Sequence, residues 1–330
     1  MIALTKDIAM KTPLALLLAA AAFAAAPALA QDAFPVTIEH FFGETVIEQK
    51  PERIVTISWM SQEAIIALGE TPVAMQRQGW GGNAEGYLPW TIEALEARGE
   101  ELPPVFDGSS GLPFEQILGY EPDLIFAPYS GFTEDDYNRL SAIAPTVAYR
   151  DAPFTAEWQY VVETAGRVLG KSDEAAQLLE AVNAQLASYR EQYPVLDGAT
   201  FIFGSGSTGE DGNIGVYIPA DPRVGLLSDL GLVPADALYD LPTDEYAQAI
   251  SLEQLDTLET DVFAAWYTTQ EDLDTILANP LFARWEPIAE GRFVPAVGAS
   301  YGMALSAPSL LSIPWVMDRF VPELAAALEE

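Results

Sequence analysis

Cysteine is absent from this chain, and histidine occurs once, at His40. Without Cys there is no disulfide, no thiolate nucleophile and no lipid-modified N-terminal Cys. The one His lies far in sequence from every candidate strand end, so no nucleophile–His relay is evident. A single His also argues against direct binding of zinc or manganese, which takes several His ligands. His40 sits in an N-terminal hairpin and is given no role. Cations are scarce, with 15 Lys plus Arg against 49 Asp plus Glu and a net charge of −34. No basic run exists to neutralise phosphates, which excludes nucleic acid as a partner. The acidity fits solubility or a salty habitat, and any bound anion has to find a local cationic pocket. No apolar run beyond residue 30 is long enough to span a membrane.

What is present is a chain of 330 residues, half of it hydrophobic, enough for two domains. Residues 1–30 read as a secretory signal: Lys6 and Lys11, an Ala/Leu-rich run, then Ala28-Leu29-Ala30 before Gln31. Met10 is a second candidate start. The expected product is an exported, unanchored monomer that suits a Gram-negative periplasm.

Residues 155–192 organise the rest. Trp158, Val161, Val162, Ala165, Val168 and Leu169 share one helical face, and Gly170 stops that helix. Ser172 is placed to cap a second helix burying Leu179, Val182, Leu186, Tyr189 and Tyr193. On both sides short apolar strands alternate with helices, the pattern of parallel α/β sheets. The reading is an N-terminal α/β lobe at 31–153, an interdomain helix at 154–171 and a C-terminal α/β lobe at 172–330. An ordinary helical hairpin inside one large domain is the alternative.

Within the lobes, a hairpin is expected at 35–49 with its turn at Gly43-Glu44, then a strand RIVTIS, a helix capped by Ser61, and a strand TPVAM. A last helix is expected from Ser309 to Leu328, interrupted at Pro314 and Pro322. Residues 113–128 and 251–266 match without gaps at Glu115/Glu253, Gln116/Gln254, Glu121/Glu259, Asp123/Asp261 and Ala127/Ala265. This pattern suggests a repeat, one copy per lobe. The segment GSGSTGEDGN lacks the Lys-Ser/Thr of a phosphate loop and reads as a plain loop.

Ligands of open α/β sheets bind at the carboxyl ends of the strands. Those ends carry Trp59, then Arg77 and Trp80, then Tyr129 and Phe132, then Ser205 and Ser207, then Trp266 and Tyr267, and finally Tyr301 and Met303. The candidate binding set is Trp59, Arg77, Trp80, Tyr129, Trp266, Tyr267 and Tyr301, with Arg150 and Arg223 as weaker candidates. Stacking surfaces, phenols and a cation suit a bulky, aromatic or anionic ligand. Each single aromatic could equally be a core residue closing its strand.

Four phrases carry a resemblance. RIVTIS…EAIIALGETPVA, PFEQILGYEPDLIFA, LSAIAPTVAY and NPLFARWEPIAEGRFVPAV stand in order at fitting distances. Together they resemble the periplasmic substrate-binding proteins of iron–siderophore and cobalamin ABC importers. The likeness covers nearly the whole chain after residue 30, and YLPWTIEALEARGEELPPVFDG leans toward the siderophore branch. The resemblance implies two Rossmann-like lobes joined by a long rigid helix, the class III periplasmic binding protein type. It places a ferric siderophore in the cleft between them. A helical connection resists hinging more than a loop does, so small closure on binding is expected. The iron arrives already chelated, so no cofactor and no protein metal ligands are expected. With few cations, a hydroxamate or mixed siderophore fits at least as well as a triply charged catecholate. The resemblance also implies that Glu115 and Glu253, at the lobe tips, dock onto permease subunits of the importer, with Glu63 a lesser candidate. Both glutamates equally suit the dipole of a helix start. Cobalamin or haem remains open as cargo. A secreted hydrolase using two carboxylates is the rival from another class, but no paired carboxylate motif is evident.

Overall fold

The computed structural model describes residues 34–206, 208–243 and 245–329. The expected signal segment 1–30 and the candidate Ser207 lie outside the described residues. Among the described residues no helix is long and apolar enough to cross a membrane.

β1 (Val36–His40) and β2 (Gly43–Ile47) form an antiparallel hairpin in which His40 pairs with Gly43. The turn therefore falls on Phe41 and Phe42, not on the expected Gly43-Glu44. Phe42 pins it there, stacking on Tyr137 at 4.7 Å and meeting Tyr149 edge-on at 5.3 Å. His40 is buried under the same hairpin, its Nε2 2.9 Å from the Thr45 hydroxyl.

The first α/β half comprises β3 (Ile54–Thr56), α1 (Ser61–Ala67), β4 (Ala74–Gln76), α2 (Pro89–Arg98), β5 (Val105–Phe106), α3 (Phe114–Gly119), β6 (Leu124–Phe126), α4 (Glu134–Ser141) and β7 (Thr146–Val147). Its strands lie in the order β5-β4-β3-β6-β7, all parallel. β3 and β6 are buried on both faces, which is why their segments read as unbroken apolar runs. Ser61 does not cap α1. The turn from β3 into α1 is so tight that Ser58 and Met60 take φ of 71° and 61°, and Ser61 Oγ turns back to the Trp59 carbonyl. This left-handed backbone on either side of Trp59 is unusual for side-chain-bearing residues and fixes how that side chain leaves the chain.

The central helices are α5 (Trp158–Leu169) and α6 (Ser172–Gln192). Every apolar residue expected on the α5 face is buried, and Gly170 closes the helix at φ 67°. In α6, Val182, Leu186 and Tyr189 are buried, whereas Leu179 and Tyr193 are only half-buried. Ser172 is the first helical residue, with Lys171 at the cap position. Gly166 lets the two helices approach closely: a Cβ there would lie 2.6 Å from the Ala175 methyl. Lys171 Nζ donates to the Leu68 carbonyl at 2.6 Å and pairs with Glu70 at 2.7 Å, tying the helix junction to the first half.

The second half runs β8 (Thr200–Gly204), β9 (Asn213–Tyr217), α7 (Pro222–Asp229), β10 (Val233–Pro234), β11 (Ala247–Ser251), β12 (Val262–Tyr267), α8 (Gln270–Leu277), α9 (Pro280–Ala283), α10 (Glu286–Ala289), β13 (Phe293–Val297), α11 (Ala299–Ser306) and α12 (Ser312–Glu329). Its sheet order is β11-β9-β8-β12-β13, with β10 beside the start of β8. β8, β12 and β13 are parallel, and β9 runs antiparallel between β8 and β11. The prolines expected to break the last helix do not. Pro314 falls in the first turn of α12, where no intrahelical N–H bond is lost, and Pro322 is accommodated inside the helix.

The repeated phrase has a structural counterpart. Asp123 accepts from the Glu52 and Arg53 N–H groups at 2.8 Å each, at the start of β3. Asp261 accepts from Thr200 N–H at 2.7 Å, at the start of β8. Each Asp thus anchors the first strand of its half. Glu115 in α3 and Glu253 in the 3₁₀ helix Leu252–Thr257 are both exposed first-turn residues.

Glu63 is not available for docking. It is 2% exposed on α1, with Oε1 accepting from Trp90 Nε1 at 3.1 Å and Oε2 without a partner. Burial pushes its carboxyl up from 4.5 to about 7, against the pull of the Trp90 hydrogen bond. A carboxyl raised in the folded state contributes stability below its unfolded value, and that contribution is lost as pH rises through 7. Glu63→Gln is therefore expected to match the parent near pH 4.5 and exceed it at pH 8, by at most roughly 3 kcal/mol. Urea unfolding at both pH values checks this; an equal difference at each would contradict it.

Candidate functional site

The carboxyl ends of the parallel strands in both sheets carry an aromatic chain that crosses from one half to the other. After β3, Trp59 stacks on Tyr129, which follows β6, at 6.4 Å and 16°. Trp59 also lies 6.0 Å from Trp80, on the loop after β4. Trp80 reaches Trp266 at the end of β12, ring to ring at 4.9 Å, and its Nε1 lies 3.4 Å from Thr268 Oγ1. Trp266 Nε1 in turn donates to the Tyr217 hydroxyl, at the end of β9, at 3.0 Å. Alongside, Ser300 Oγ donates to the Gly81 carbonyl at 2.6 Å.

Among the described residues, Arg223 is the cation that lies against this chain. Asp221 caps α7, accepting from the Arg223 N–H, and Pro222 occupies the first helical position. This start fixes Arg223, whose guanidinium lies 4.7 Å from the Tyr217 ring and 5.3 Å from that of Tyr246. Arg223 Nη1 pairs with Asp221 Oδ2 at 2.8 Å, and Nε donates to the Ser306 carbonyl at 3.0 Å. Burial works against the guanidinium charge, but Asp221 and the neighbouring phenols more than offset it. Burial also raises the Asp221 carboxyl, partly countered by Arg223. A narrow pocket beside this pair is lined by Met60, Tyr129, Trp158, Arg223, Ser306 and Pro308. Into this region falls the buried Ser306 side chain, beside the Tyr217 phenol. Burial pushes the Tyr129 phenol up to about 12 and raises that of Tyr217, so both stay protonated donors at neutral pH.

The structure thus gathers Trp59, Trp80, Tyr129 and Trp266 from the expected set. It does not gather the others. Strand alternation sends Trp266 to the inner face of β12 and Tyr267 to the outer one, where Tyr267 is 1% exposed and edge-on to Phe293. Tyr301 belongs to α11, a helix absent from the sequence reading. Its hydroxyl donates to Glu323 at 2.9 Å, and Arg319 covers its ring at 4.2 Å. Arg77 folds back on its own loop, with Nη2 donating to the Ala84 carbonyl at 2.9 Å. Phe132 packs with Phe42 and Tyr149, and Arg150 pairs with Asp151 over Tyr160. Tyr217, Tyr246, Asp221 and Ser306 stand here without having been expected from the sequence, and Arg223, a weaker candidate there, stands among them. The Asp-Pro-Arg start of α7 is the signal that could have found the Arg223 pair. Larger hollows lie at the opposite ends of the strands; one is bordered by Thr200, Asp261 and Arg292.

Against known proteins, the family model described as periplasmic binding protein matches residues 54–296. The chain belongs to that family. Among solved structures it is similar to PiaA of Streptococcus pneumoniae TIGR4 in complex with ferrichrome, at 30% identity and TM-score 0.79, covering 89% of this chain and 98% of that one. A periplasmic solute-binding protein of Mycobacterium smegmatis matches at 28% identity and TM-score 0.77, over 89% and 98% of the two chains. Among curated proteins, the ferric enterobactin-binding periplasmic protein FepB of Escherichia coli O6:H1 is 25% identical over 289 residues, 80% of this chain and 84% of its own. The two-lobed α/β architecture of the class III type, expected from the sequence, is the fold observed.

The Trp80 loop meets α11 through Gly81, which has φ +81° and where a Cβ would lie 2.5 Å from the Met303 Cβ. Gly81→Ala is expected to push the loop off α11 and break the Trp80–Trp266 contact. Amide hydrogen exchange of peptides covering 78–90 should accelerate by an order of magnitude or more, with the rest of the chain unchanged. Unaltered exchange there would contradict the contact.

Proposed function

We propose that this chain is the periplasmic receptor of an ABC importer, capturing a ferric siderophore between its two lobes and delivering it without chemistry. The observation that carries the reading is the chain Trp59–Trp80–Trp266–Tyr217 with Arg223 beside it, at the carboxyl ends of both sheets. Indole faces pack against the bulky body of an iron chelate. Protonated Tyr129 and Tyr217 and the guanidinium donate to the chelate oxygens around the metal. The ferrichrome complex of PiaA and the ferric enterobactin named for FepB support this cargo class. In this reading residues 1–30 are removed on export, the lobes span 31–153 and 172–330, and the protein acts as a monomer. Glu115 and Glu253 are the permease contacts, supported by their exposure in equivalent first turns. Separated charges of one sign fix orientation and steer encounter more than they add affinity.

Titration with ferrichrome, followed by tryptophan quenching, tests the cleft. Arg223→Gln and Tyr217→Phe should each weaken binding by about 1–3 kcal/mol, the scale of a lost buried or charge-assisted hydrogen bond. Tyr267→Phe and Tyr301→Phe should change nothing, and equal losses in all four variants would contradict the assignment. For docking, Glu115→Arg with Glu253→Arg should leave ligand affinity in place and abolish most iron uptake in cells. Normal uptake would remove the docking role.

A further inference from the structure

Arg223 is the cation in contact with the aromatic chain, and it is already spoken for. Its Nη1 pairs with Asp221 at 2.8 Å, and the two side chains are only 12% and 3% exposed. The pair as a unit carries no net charge. Every other polar group described at the site is neutral: the Tyr129 and Tyr217 phenols, the indole N–H groups, and the Ser306 and Thr268 hydroxyls. Arg77, on the loop that carries Trp80, is turned to the Ala84 carbonyl and lies near Asp107. The surrounding chain adds a net charge of −34.

We propose that Asp221 sets the charge selectivity of this cleft, cancelling Arg223 so that it takes uncharged or cationic ferric hydroxamates and rejects polyanionic catecholate or carboxylate complexes. The inference rests on the ferric-siderophore reading above and sharpens it. The physical basis is desolvation. A polyanionic complex entering this cleft loses its hydration shell and meets, at the aromatic chain, a guanidinium already paired with Asp221. Asp221 itself repels it at short range through a medium that screens less than water. An uncharged chelate still gains the indole stacking and the phenol and guanidinium donors, because pairing with Asp221 uses only part of the donor capacity of Arg223. A monocationic chelate gains the overall negative field as well. This separates the chain's expected cargo from the ferric enterobactin of its relative FepB.

The test measures dissociation constants for three ferric complexes: monocationic ferrioxamine B, uncharged ferrichrome and trianionic ferric enterobactin. The parent protein is expected to bind ferrichrome and ferrioxamine B at least about a hundredfold more tightly than ferric enterobactin. Asp221→Asn removes the charge while keeping a capping oxygen for the Arg223 N–H, and Asp221→Ser is a second neutral cap. In either variant the enterobactin-to-ferrichrome ratio should narrow by about tenfold or more, with thermal melts reporting the fold. Equal affinity of the parent for ferrichrome and ferric enterobactin would overturn the proposal. So would an unchanged ratio in a folded variant. If none of the three complexes binds the parent, the ferric-siderophore reading itself fails, and the charge rule with it.

Discussion

One continuous apolar core holds the two sheets in a fixed relation. It runs from Ile54 and Phe126 in the first sheet, through Val161, Val168 and Leu186 of the central helices and Phe320 of α12, to Phe201 and Phe203 in the second. Two further clusters cover the outer faces, one around Val55 and Ile125, the other around Ile202 and Phe263. The inner core is therefore shared by both halves while the outer cores are private. Separating the halves would expose the shared surface to water, so the central hairpin acts as a brace. Such a brace is expected to resist large hinge motion, because close-packed interiors do not deform continuously.

The site follows from that frame. Parallel sheets direct the turns after β3, β4, β6 and β12 to one side, and the brace brings those turns from both halves together. What fills the gap is aromatic rather than ionic. The Asp221–Arg223 pair is buried and internally compensated, and removing one partner of such a pair leaves an uncompensated charge. On the proposed reading, affinity is left to stacking and neutral donors, a combination that recognises shape and metal-bound oxygen without demanding ligand charge.

Much of this frame was legible in the sequence because periodicity reports burial. The α5 face and its Gly170 stop, the buried strands and the repeated Glu/Asp phrase all stand where the pattern put them. The errors have physical causes. Ser61 has the chemistry of a cap, but a tight left-handed turn at Met60 takes that place. Tyr267 and Trp266 are adjacent in sequence, and only the strand register decides which one faces the cleft. Tyr301 falls on a short helix in a uniformly apolar stretch, where no polar face marks the period. Glu63 looks like a surface acid in sequence and is buried by Trp90, a contact between α1 and α2 that no local pattern encodes.

The most direct measurement is the anomalous scattering of iron in a crystal of the ferrichrome complex. A single iron peak is expected between the carboxyl ends of the two sheets, within reach of Trp59, Trp80, Tyr217, Arg223 and Trp266. An iron peak outside that gap, or beside the hollow at Thr200, Asp261 and Arg292, would contradict this placement.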